Sequence, residues 1–394
     1  MRSYLFIILP YIFILSTVAT LASEQSKPLR LPKIIVKGAA IPAPNVLNTA
    51  DVTRITAKDI EAQQSVTLAD ALRRVPGAYV SQNGGIGQEA RVSLRGAGEG
   101  NTTLVLNGMP INDSGAFDGA INLSRWTLDE VADIQVIRGP MSSLYGPNGM
   151  GGVISIETKK RKGLHKTFGQ AEGGSFTTYA QSLGVQGEKG LLNYHVVGSR
   201  IQSAGAPTTP SRLLSRIQGK ADNPLHQESF SGRFGGGRES AHVSFFTRYL
   251  SRRLGFRPSP VDLQPYRQNL SESFNRLQGY LENRTASWRH EIGLGYYQSD
   301  LSNKRIPFDR IDRKGTQGQI DWRQTIEATD QLQFQLNSDV CEETLYRQGD
   351  KVSPSRTQTS HGGVGGSLIV KPKENLMIVG STRVDKYASI PVTT

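Results

Sequence analysis

Two patterns of apolar and polar residues divide the chain beyond its first fifty residues. From 51 to about 160, short apolar runs of helix and strand length follow one another, which predicts a compact α/β unit. From about 166 onward, apolar and polar residues alternate one by one. Leu332, Phe334 and Leu336, for example, alternate with glutamines and an asparagine. This period of two predicts antiparallel strands that have one apolar and one polar face.

Capping signals and short apolar runs predict the elements of the first unit. Thr56 with Asp59 marks the start of one helix, and Ser65 or Thr67 marks the start of a second. A third capping signal, at 127–130, predicts a further helical turn. Short strands are expected at Ala78–Val80, Arg91–Leu94, Thr103–Asn107, Ile134–Arg138 and Val153–Thr158.

The second unit has the layout of an outer-membrane β-barrel. Strands of roughly 9–12 residues meet at tight turns at 187–190 and 235–238, and long polar loops are expected at 204–226 and 251–271. In such a barrel the apolar face meets lipid and the polar face meets the lumen. Aromatic girdles at the two membrane interfaces are predicted from Tyr194, Tyr249, Trp288, Tyr296 and Trp322.

The N-terminal segment predicts export. An apolar core from Leu5 to Val18 is followed by small residues, so residues 1–22 are interpreted as a signal peptide cleaved after Ala22. An uncleaved membrane anchor is the alternative. Residues 23–50 contain prolines, charges and a single β-branched run, which is typical of a flexible arm.

Composition and motifs narrow the function. The net charge is +12, but Lys and Arg are scattered, which disfavours nucleic acid and favours anionic outer-membrane lipid and lipopolysaccharide as partners. Cys341 is the single cysteine, so no internal disulfide can form, and it is expected to be an inert strand residue. The chain has no Gly-x-Ser-x-Gly motif, and His290 lacks the second histidine of a zinc protease, so no catalytic site, metal site or cofactor is predicted.

The stretch "RGPMSSLYGPNGMGGVISIETKK" at 138–160 resembles the end of the plug domain of TonB-dependent outer-membrane receptors. The upstream stretch from Leu68 to Asp113 resembles the first half of the same plug. The resemblance implies a plug at 51–162, followed at 163–394 by strands of a large barrel in the outer membrane of a Gram-negative bacterium. The residues of the structural plug motif are Arg95, Gly96, Arg138, Gly139, Pro140, Tyr145, Gly146, Gly151 and Gly152.

The plug motif explains why so many glycines stand together without any chemistry. A plug packed inside a barrel needs tight turns and close approaches that a Cβ would block. Arg95 and Arg138 are expected to be buried at the boundary between plug and wall and paired there, because an unpaired buried charge is costly. The sequence departs from the usual family pattern at Asn107, where an aspartate is usual, and at Glu157, where an isoleucine is usual.

Within the family, "SQNGGIGQEARVSLRG" at 81–96 is most similar to the plug of cobalamin receptors. The resemblance implies that a loop points into the ligand cavity and that the ligand is cobalamin or another corrinoid. The loop residues are Asn83, Gly84, Gly85, Gly87 and Gln88. A plain glycine-rich turn is the alternative for this loop. Because "RGPMSSLYG" also resembles catecholate receptors, a ferric siderophore is the alternative ligand. The loop at 204–226 lacks an acidic cluster, so no calcium site is predicted.

The resemblance also implies energy coupling through the arm. The coupling segment would be Ile34, Ile35, Val36 and Lys37, which would add as a strand to TonB, itself energised by ExbB and ExbD. Two rival classes are a signalling receptor without transport and an exported enzyme. The short interval before Lys33 leaves no room for an extra signalling domain, and the missing catalytic motifs disfavour an enzyme.

The length predicts an incomplete barrel. The 231 residues from Leu164 to Thr394 accommodate about 11 strands at ~20 residues for each strand and its loop, half of the 22 strands that large plugged transporters have. A receptor truncated within its barrel, and for that reason non-functional as a transporter, is the expectation that follows.

Overall fold

The fold was analysed in a computed structural model, which describes residues 51–392 except 112, 114–118, 161–162, 207–222, 258–265, 284, 306–308 and 374–375. The predicted signal peptide, the arm and the coupling segment lie outside the described residues. Within them, an N-terminal α/β unit, called the plug below, precedes one large antiparallel sheet, called the wall.

The plug is organised around a mixed five-stranded sheet of order β1-β6-β7-β4-β5, beside which β2 and β3 form a separate hairpin. The strands β4 and β7 run parallel, and the other pairs are antiparallel. The bounds are β1 Asp51–Thr56, β2 Ala78–Gln82, β3 Ala90–Leu94, β4 Thr102–Leu106, β5 Met109–Ile111, β6 Val131–Arg138 and β7 Gly152–Thr158. All five predicted plug strands are therefore confirmed, with small shifts at their ends.

Three short helices connect these strands: α1 Ala57–Gln63, α2 Leu68–Leu72 and α3 Ser142–Tyr145. Both predicted helix starts are confirmed, since Thr56 with Asp59 and Thr67 with Asp70 form complete capping boxes. In the part of the chain that the structure describes, no helix is long and apolar enough to cross a membrane.

The predicted helical turn at 127–130 is wrong. Thr127 instead forms a β-bridge with Thr67, and the turn at Asp129 leads directly into β6. Glu130 does not cap a helix; its carboxylate accepts a hydrogen bond from Arg248 of the wall. A tertiary partner thus overrides the local capping signal.

The wall consists of eleven strands that pair in chain order from β8 to β18. The bounds are β8 Lys166–Gly174, β9 Thr178–Lys189, β10 Leu192–Ser203, β11 Leu225–Arg238, β12 Ala241–Phe256, β13 Tyr266–Asn283, β14 Trp288–Arg305, β15 Arg310–Thr329, β16 Leu332–Gly349, β17 Val352–Lys373 and β18 Leu376–Val392. The predicted strand number is confirmed. Among the described residues, β8 pairs only with β9, and β18 only with β17.

The predicted strand length of 9–12 residues holds only for the first three wall strands, and later strands reach 22 residues. The long loops are shorter than predicted, because β12 continues to Phe256 and β13 already begins at Tyr266. Hydrogen bonding between neighbouring strands continues beyond the segments in which apolar and polar residues alternate. The strands are therefore longer than the sequence pattern predicts. Short connections do lie at one end, at 190–191, 239–240 and 330–331. The long connections 204–224 and 257–265 lie at the other end, which also has short ones at 175–177 and 350–351.

The two faces of the wall differ as the alternation predicts. One face exposes apolar side chains, including Phe245, Leu294 and Phe334, while the other buries polar ones such as Gln335 and Gln317, the latter against the Pro110 carbonyl of the plug. The buried face also contains arginines. A water-soluble sheet would place its apolar face inward, so this inverted arrangement is that of a wall whose outer face meets lipid.

Candidate functional site at the boundary of plug and wall

A cluster of buried charges joins the plug to the wall. Arg125, which ends the 3₁₀ turn Leu123–Arg125, donates to Asp113 at 2.8 Å and to Glu272 of β13 at 2.7 Å. The hydroxyl of Tyr297 on β14 donates to the same Glu272 oxygen at 3.0 Å. All three charged side chains are at least nine-tenths buried. Such a pair is costly to break, because either partner alone would be an uncompensated buried charge.

Arg248 of β12 forms the second half of this cluster. Its Nε donates to Glu130 at 3.1 Å, and its Nη2 donates to the backbone carbonyl of Arg125 at 2.8 Å. Its guanidinium also lies 4.3 Å from the ring centroid of Trp126. A single wall arginine therefore contacts a carboxylate, a carbonyl and an aromatic ring of the plug, which fixes the register between the two units.

Burial and charge pairing act against each other on the plug side of the cluster. It raises the pKa of Glu130 above its ordinary value, although the nearby Arg248 opposes this shift. Burial alone would lower the pKa of Arg125, but the carboxylates of Asp113 and Glu272 outweigh it and raise that pKa above its ordinary value. Arg125 therefore stays charged throughout the accessible pH range.

A second contact forms where the sequence departs from the family pattern. Asn107 follows β4 with a φ of +46°, and its side-chain oxygen accepts from the Thr158 backbone at 3.1 Å and from Arg233 of β11 at 2.9 Å. Arg233 therefore contacts a neutral amide oxygen where the family usually has a carboxylate. The buried Glu157 attracts Arg233 electrostatically, and burial raises the pKa of Glu157. Arg233 therefore lies beside a neutral amide oxygen and within electrostatic range of the buried Glu157.

The structure corrects the expectation for the two motif arginines. Arg138 is buried as predicted, but its partners are Asp51, Thr53 at 2.7 Å and the carbonyl of Pro76 at 2.9 Å, all within the plug. The Arg95 side chain is 51% exposed and also pairs with Asp51. Neither arginine contacts the wall in any of these bonds. Their shared role is to fasten β1 to the rest of the plug.

Hydrogen bonds from these two arginines lower the pKa of Asp51 from 3.8 to about 2. A carboxylate held in this way stabilises the folded plug in its ionised form. The pair from Asp51 to Arg138 spans the ends of β1 and β6, which are direct neighbours in the sheet.

Two glycines of the motif, Gly151 and Gly152, occupy positions where a side chain would overlap its neighbours. Gly152 has a φ of +145°, and an added Cβ would lie 2.3 Å from the carbonyl oxygen of Ile137. Gly151 is similarly confined, since a Cβ there would lie 2.6 Å from that of Ala97. Gly139 and Gly146 also have positive φ, and Pro140 between them is exposed. Tyr145 packs beside Ile369 of β17, so this turn reaches the wall through its aromatic ring.

The predicted ligand loop lies at the long-connection end of the wall. Gln88 is buried and donates to the carbonyl of Gly255 on β12 at 3.1 Å. An added Cβ at Gly87 would lie 2.7 Å from Leu225 of β11, and one at Gly85 would contact Ala206 at 3.5 Å. Asn83 and Gly84 are exposed. One half of the loop thus docks on the wall, and the other half remains open to solvent.

A cavity of about 1560 Å³ opens at the same end of the wall. Its lining comes from strand ends beside the connections 204–224 and 257–265, and it includes Leu225 and Gly255, which the plug loop contacts. The cationic members of the lining are Arg252, Arg253, Arg257, Arg267, Arg310, Arg313 and Lys314, and the acidic members are Asp300 and Asp312. Among the residues that the structure describes, the cavity lining therefore has more basic than acidic side chains.

Sequence reasoning did not single out the wall residues of this site. Arg248, Arg252 and Glu272 have a detectable signal, since each stands at a polar position of an alternating strand. The spacing cannot indicate which plug residue each one meets, because those contacts join residues more than 100 positions apart in the chain. In the part of the chain that the structure describes, no group of His, Cys, Asp and Glu side chains could hold a metal ion.

Comparison with known proteins agrees with this architecture. Residues 45–153 match the family described as TonB-dependent Receptor Plug Domain. The vitamin B12 transporter BtuB of Vibrio cholerae is 40% identical over 147 residues, a match that covers 36% of this chain and 24% of the relative.

Solved structures extend the similarity into the wall. The pyoverdine outer-membrane receptor FpvA of Pseudomonas aeruginosa has a TM-score of 0.71 at 12% identity, covering 87% of this chain and 57% of the receptor. The siderophore receptor PirA of Acinetobacter baumannii has a TM-score of 0.70 at 16% identity, covering 89% and 59%. At these identities the likeness concerns the fold alone. The chain spans about a quarter of the curated relatives that it matches and just over half of these solved chains.

A plug fastened by buried charges to an inverted antiparallel wall is the plug-and-barrel fold class. Residues 45–153 are thus similar to the plug domain of TonB-dependent receptors, and the plug and wall together have the fold of the solved receptors. The location of this family, the outer membrane of Gram-negative bacteria, agrees with the exposed apolar face of the wall.

Proposed function

We propose that this chain belongs to a receptor that imports a scarce, large ligand across the outer membrane and that does not act as an enzyme. The observation that carries the proposal is the placement of the plug loop 83–88 on the wall beside a large basic cavity. A ligand held there would contact both the plug and the wall. Movement of the plug would then change its binding site, which is what coupled release requires.

A corrinoid is the first candidate ligand. The support is the 40% identity of the plug region to a vitamin B12 transporter and the exposed Asn83 and Gly84 at the tip of the loop. A ferric siderophore is the second candidate, and the basic lining of the cavity favours it. Equilibrium binding of cyanocobalamin and of ferric catecholates to the 394-residue chain in detergent separates the two. A higher affinity for the ferric catecholate than for cyanocobalamin would make the siderophore the favoured ligand and contradict the corrinoid proposal.

Energy transfer is proposed to enter through the arm. In this proposal Ile34, Ile35, Val36 and Lys37 add as a strand to TonB, which ExbB and ExbD energise, while lipid and lipopolysaccharide surround the outer face of the wall. Main-chain hydrogen bonds suit a short β-branched segment of this kind, because they place little demand on its side chains.

The coupling proposal is tested by Ile35→Pro, which removes one backbone donor from the segment. In cells that produce the receptor, energised uptake should be lost while ligand binding persists. Ala40→Pro, which makes the same change outside the segment, serves as the matched control. Uptake that survives Ile35→Pro, or that is lost equally with Ala40→Pro, would place coupling elsewhere.

A further inference from the structure

The hairpin turn between β4 and β5 is held to the wall through neutral acceptors. Asn107, which begins this turn, accepts from Arg233 of β11 on its side-chain oxygen at 2.9 Å, and its backbone carbonyl accepts from Gln278 of β13. Gln317 of β15 donates to the carbonyl of Pro110 at 3.0 Å. These bonds are called the turn contact below. Each acceptor that the plug offers in them is an amide or carbonyl oxygen.

The charge of Arg233 is only partly compensated. Arg233 is 3% exposed, and its other acceptors are the hydroxyls of Thr158 at 2.7 Å and Ser244 at 3.3 Å. Among the described residues no carboxylate forms an ion pair with it, and Glu157 attracts it only at longer range. The Nδ2 atom of Asn107 is also buried without a hydrogen-bond partner. Incomplete compensation of a buried cation and a buried amide makes the net strength of this contact small.

Packing positions the turn in addition to these bonds. Met109, the residue after the turn, is fully buried, and its sulfur occupies the space that a side chain at Gly295 of β14 would fill. A thioether is flexible and adapts to an irregular gap. The fit of Met109 therefore places the turn on the wall without adding a charged bond.

The charged cluster of Arg125 and Arg248 attaches the plug in a different way. There each guanidinium meets a carboxylate across the boundary, Arg125 with Glu272 at 2.7 Å and Arg248 with Glu130 at 3.1 Å. Opposite charges attract each other in addition to the hydrogen bond, and separation would leave both buried without compensation. The turn contact is therefore the weaker of the two attachments.

The turn contact also lies away from the cavity. Arg233 is close to the end of β11 at Arg238, and Gln278 is close to the end of β13 at Asn283, which is the end of the wall with the short connections. The loop 83–88 and the cavity lie at the opposite end. Separation at the turn contact would thus begin on the side of the plug that faces away from a bound ligand.

We propose that the turn contact is the releasable attachment of the plug, which separates from the wall while the charged cluster still holds. This assignment rests on the receptor function proposed above and concerns the regulation of its plug. In this order of release, the plug loosens first at the end away from the cavity, and the contacts beside the ligand break later. A carboxylate in place of the Asn107 amide would make the turn contact a second charged attachment.

Thiol labelling of the full 394-residue chain in detergent measures the two separations without any ligand. In a Cys341→Ser chain, Ser244→Cys places one thiol beside Arg233, and Ser299→Cys places one opposite Glu272 in the charged cluster. Both serines are buried, at 6% and 4% exposure. The probe is a water-soluble methanethiosulfonate. Each rate is divided by the rate of the same thiol in the denatured chain, so that the ratio reports the population of the separated state.

We expect the normalised rate at Ser244→Cys to exceed that at Ser299→Cys at least about tenfold. Asn107→Asp should slow labelling at Ser244→Cys roughly 5- to 20-fold, because a charged acceptor replaces a neutral one, and should leave Ser299→Cys within about two-fold. Combination with Arg233→Met should abolish the slowing, since the carboxylate then has no cation. Asn122→Asp is the matched control. It changes a buried plug asparagine whose side-chain oxygen accepts from other plug residues, and it should not slow labelling at Ser244→Cys.

Equal normalised rates at the two thiols would show that the plug separates as one unit and would overturn the proposal, as would an Asn107→Asp chain that labels as fast as its parent. If Asn107→Asp does not fold, Thr158→Val decides, because it removes the acceptor 2.7 Å from Arg233. Faster labelling at Ser244→Cys alone supports a releasable turn contact, and unchanged or equally faster labelling at both thiols overturns it. None of these outcomes depends on a ligand, so the receptor function is decided separately by the binding measurements above.

Discussion

The plug and the wall bury opposite kinds of side chain. The plug core contains Leu72, Leu106 and Ile134, as in a water-soluble domain, whereas the largest fully buried side chains of the wall include Arg252 and Arg276. The difference follows from the surroundings of each unit. The plug must fold around an apolar core, while the wall turns its apolar side chains toward lipid and has polar groups left to face the plug. The boundary between the two units consequently contains buried charges, beside apolar wall residues such as Phe246 and Phe274 that pack in the plug core.

Removal of one charge from this boundary should have the largest effect. Arg125→Met leaves Asp113 and Glu272 buried without their cation, and the expected loss of unfolding free energy is about 3–5 kcal/mol. Denaturant titration in detergent, followed by near-UV circular dichroism, measures it. Arg54→Met removes a pair whose arginine is 54% exposed, and its expected cost is at most about 1 kcal/mol. Equal losses in the two variants would show that burial of the charge does not matter.

Crowding within the plug turn should have the next largest effect. Gly152→Ala is expected to cost about 3 kcal/mol, because a positive φ and a Cβ placed 2.3 Å from the Ile137 oxygen act together. Gly96→Ala is the matched control, since Gly96 has a φ of +77° but nothing within 4 Å of the added Cβ. Its expected cost is about 1 kcal/mol. Thermal unfolding measures the loss of stability in each variant. The loss in Gly152→Ala reports backbone strain together with steric overlap, and the loss in Gly96→Ala reports backbone strain alone.

A charge placed on the outer face of the wall tests whether that apolar face meets lipid. Leu294→Lys places an ammonium group where the wall meets lipid, and the expected cost is about 2 kcal/mol. The folded fraction in lipid vesicles measures it, and Leu294→Met should remain within about 0.5 kcal/mol of the parent chain. An unchanged folded fraction for Leu294→Lys would mean that this face does not meet lipid.

The smallest effect concerns pH. Because the pKa of Asp51 is lowered from 3.8 to about 2, its ionised form stabilises the plug above pH 3.8, and this contribution is lost as the pH falls toward 2. Asp51→Asn should therefore flatten the decline of plug stability between those two values while changing little at pH 3.8 and above beyond a constant offset. Parallel declines in the parent and in Asp51→Asn would assign the acid sensitivity to other groups.

The sequence predicted most of the fold because the relevant signals are local. The capping boxes at Thr56 and Thr67 and the alternation around Phe334 depend on near neighbours alone, and both are found in the structure. The predicted helical turn at 127–130 was wrong because Glu130 accepts a hydrogen bond from Arg248, which lies far along the chain, instead of capping a helix. The predicted ends of the wall strands were wrong because backbone pairing continues beyond the segments with alternating apolar residues.

The site was less accessible to sequence reasoning than the fold. The loop 83–88 was identified through a family resemblance, and its contact with Gly255 could not be derived from spacing. Arg95 was expected to be buried at the boundary between plug and wall, yet its side chain is 51% exposed and pairs with Asp51 within the plug. Which polar residues of the wall contact the plug depends on the position of the plug relative to the wall strands. Tertiary packing sets that position, and the spacing of residues in the sequence does not indicate it.

The most direct test of the account is the orientation of one wall strand in a lipid bilayer. Nitroxide labels placed singly at 333, 334, 335 and 336 of β16, in a Cys341→Ser chain, report their accessibility to oxygen from the lipid and to a water-soluble chromium complex. The account predicts alternation, with high oxygen accessibility at Phe334 and Leu336 and low accessibility at Gln333 and Gln335. Uniform accessibility, or alternation of the opposite phase, would contradict a wall that turns its apolar face to lipid and its polar face to the plug.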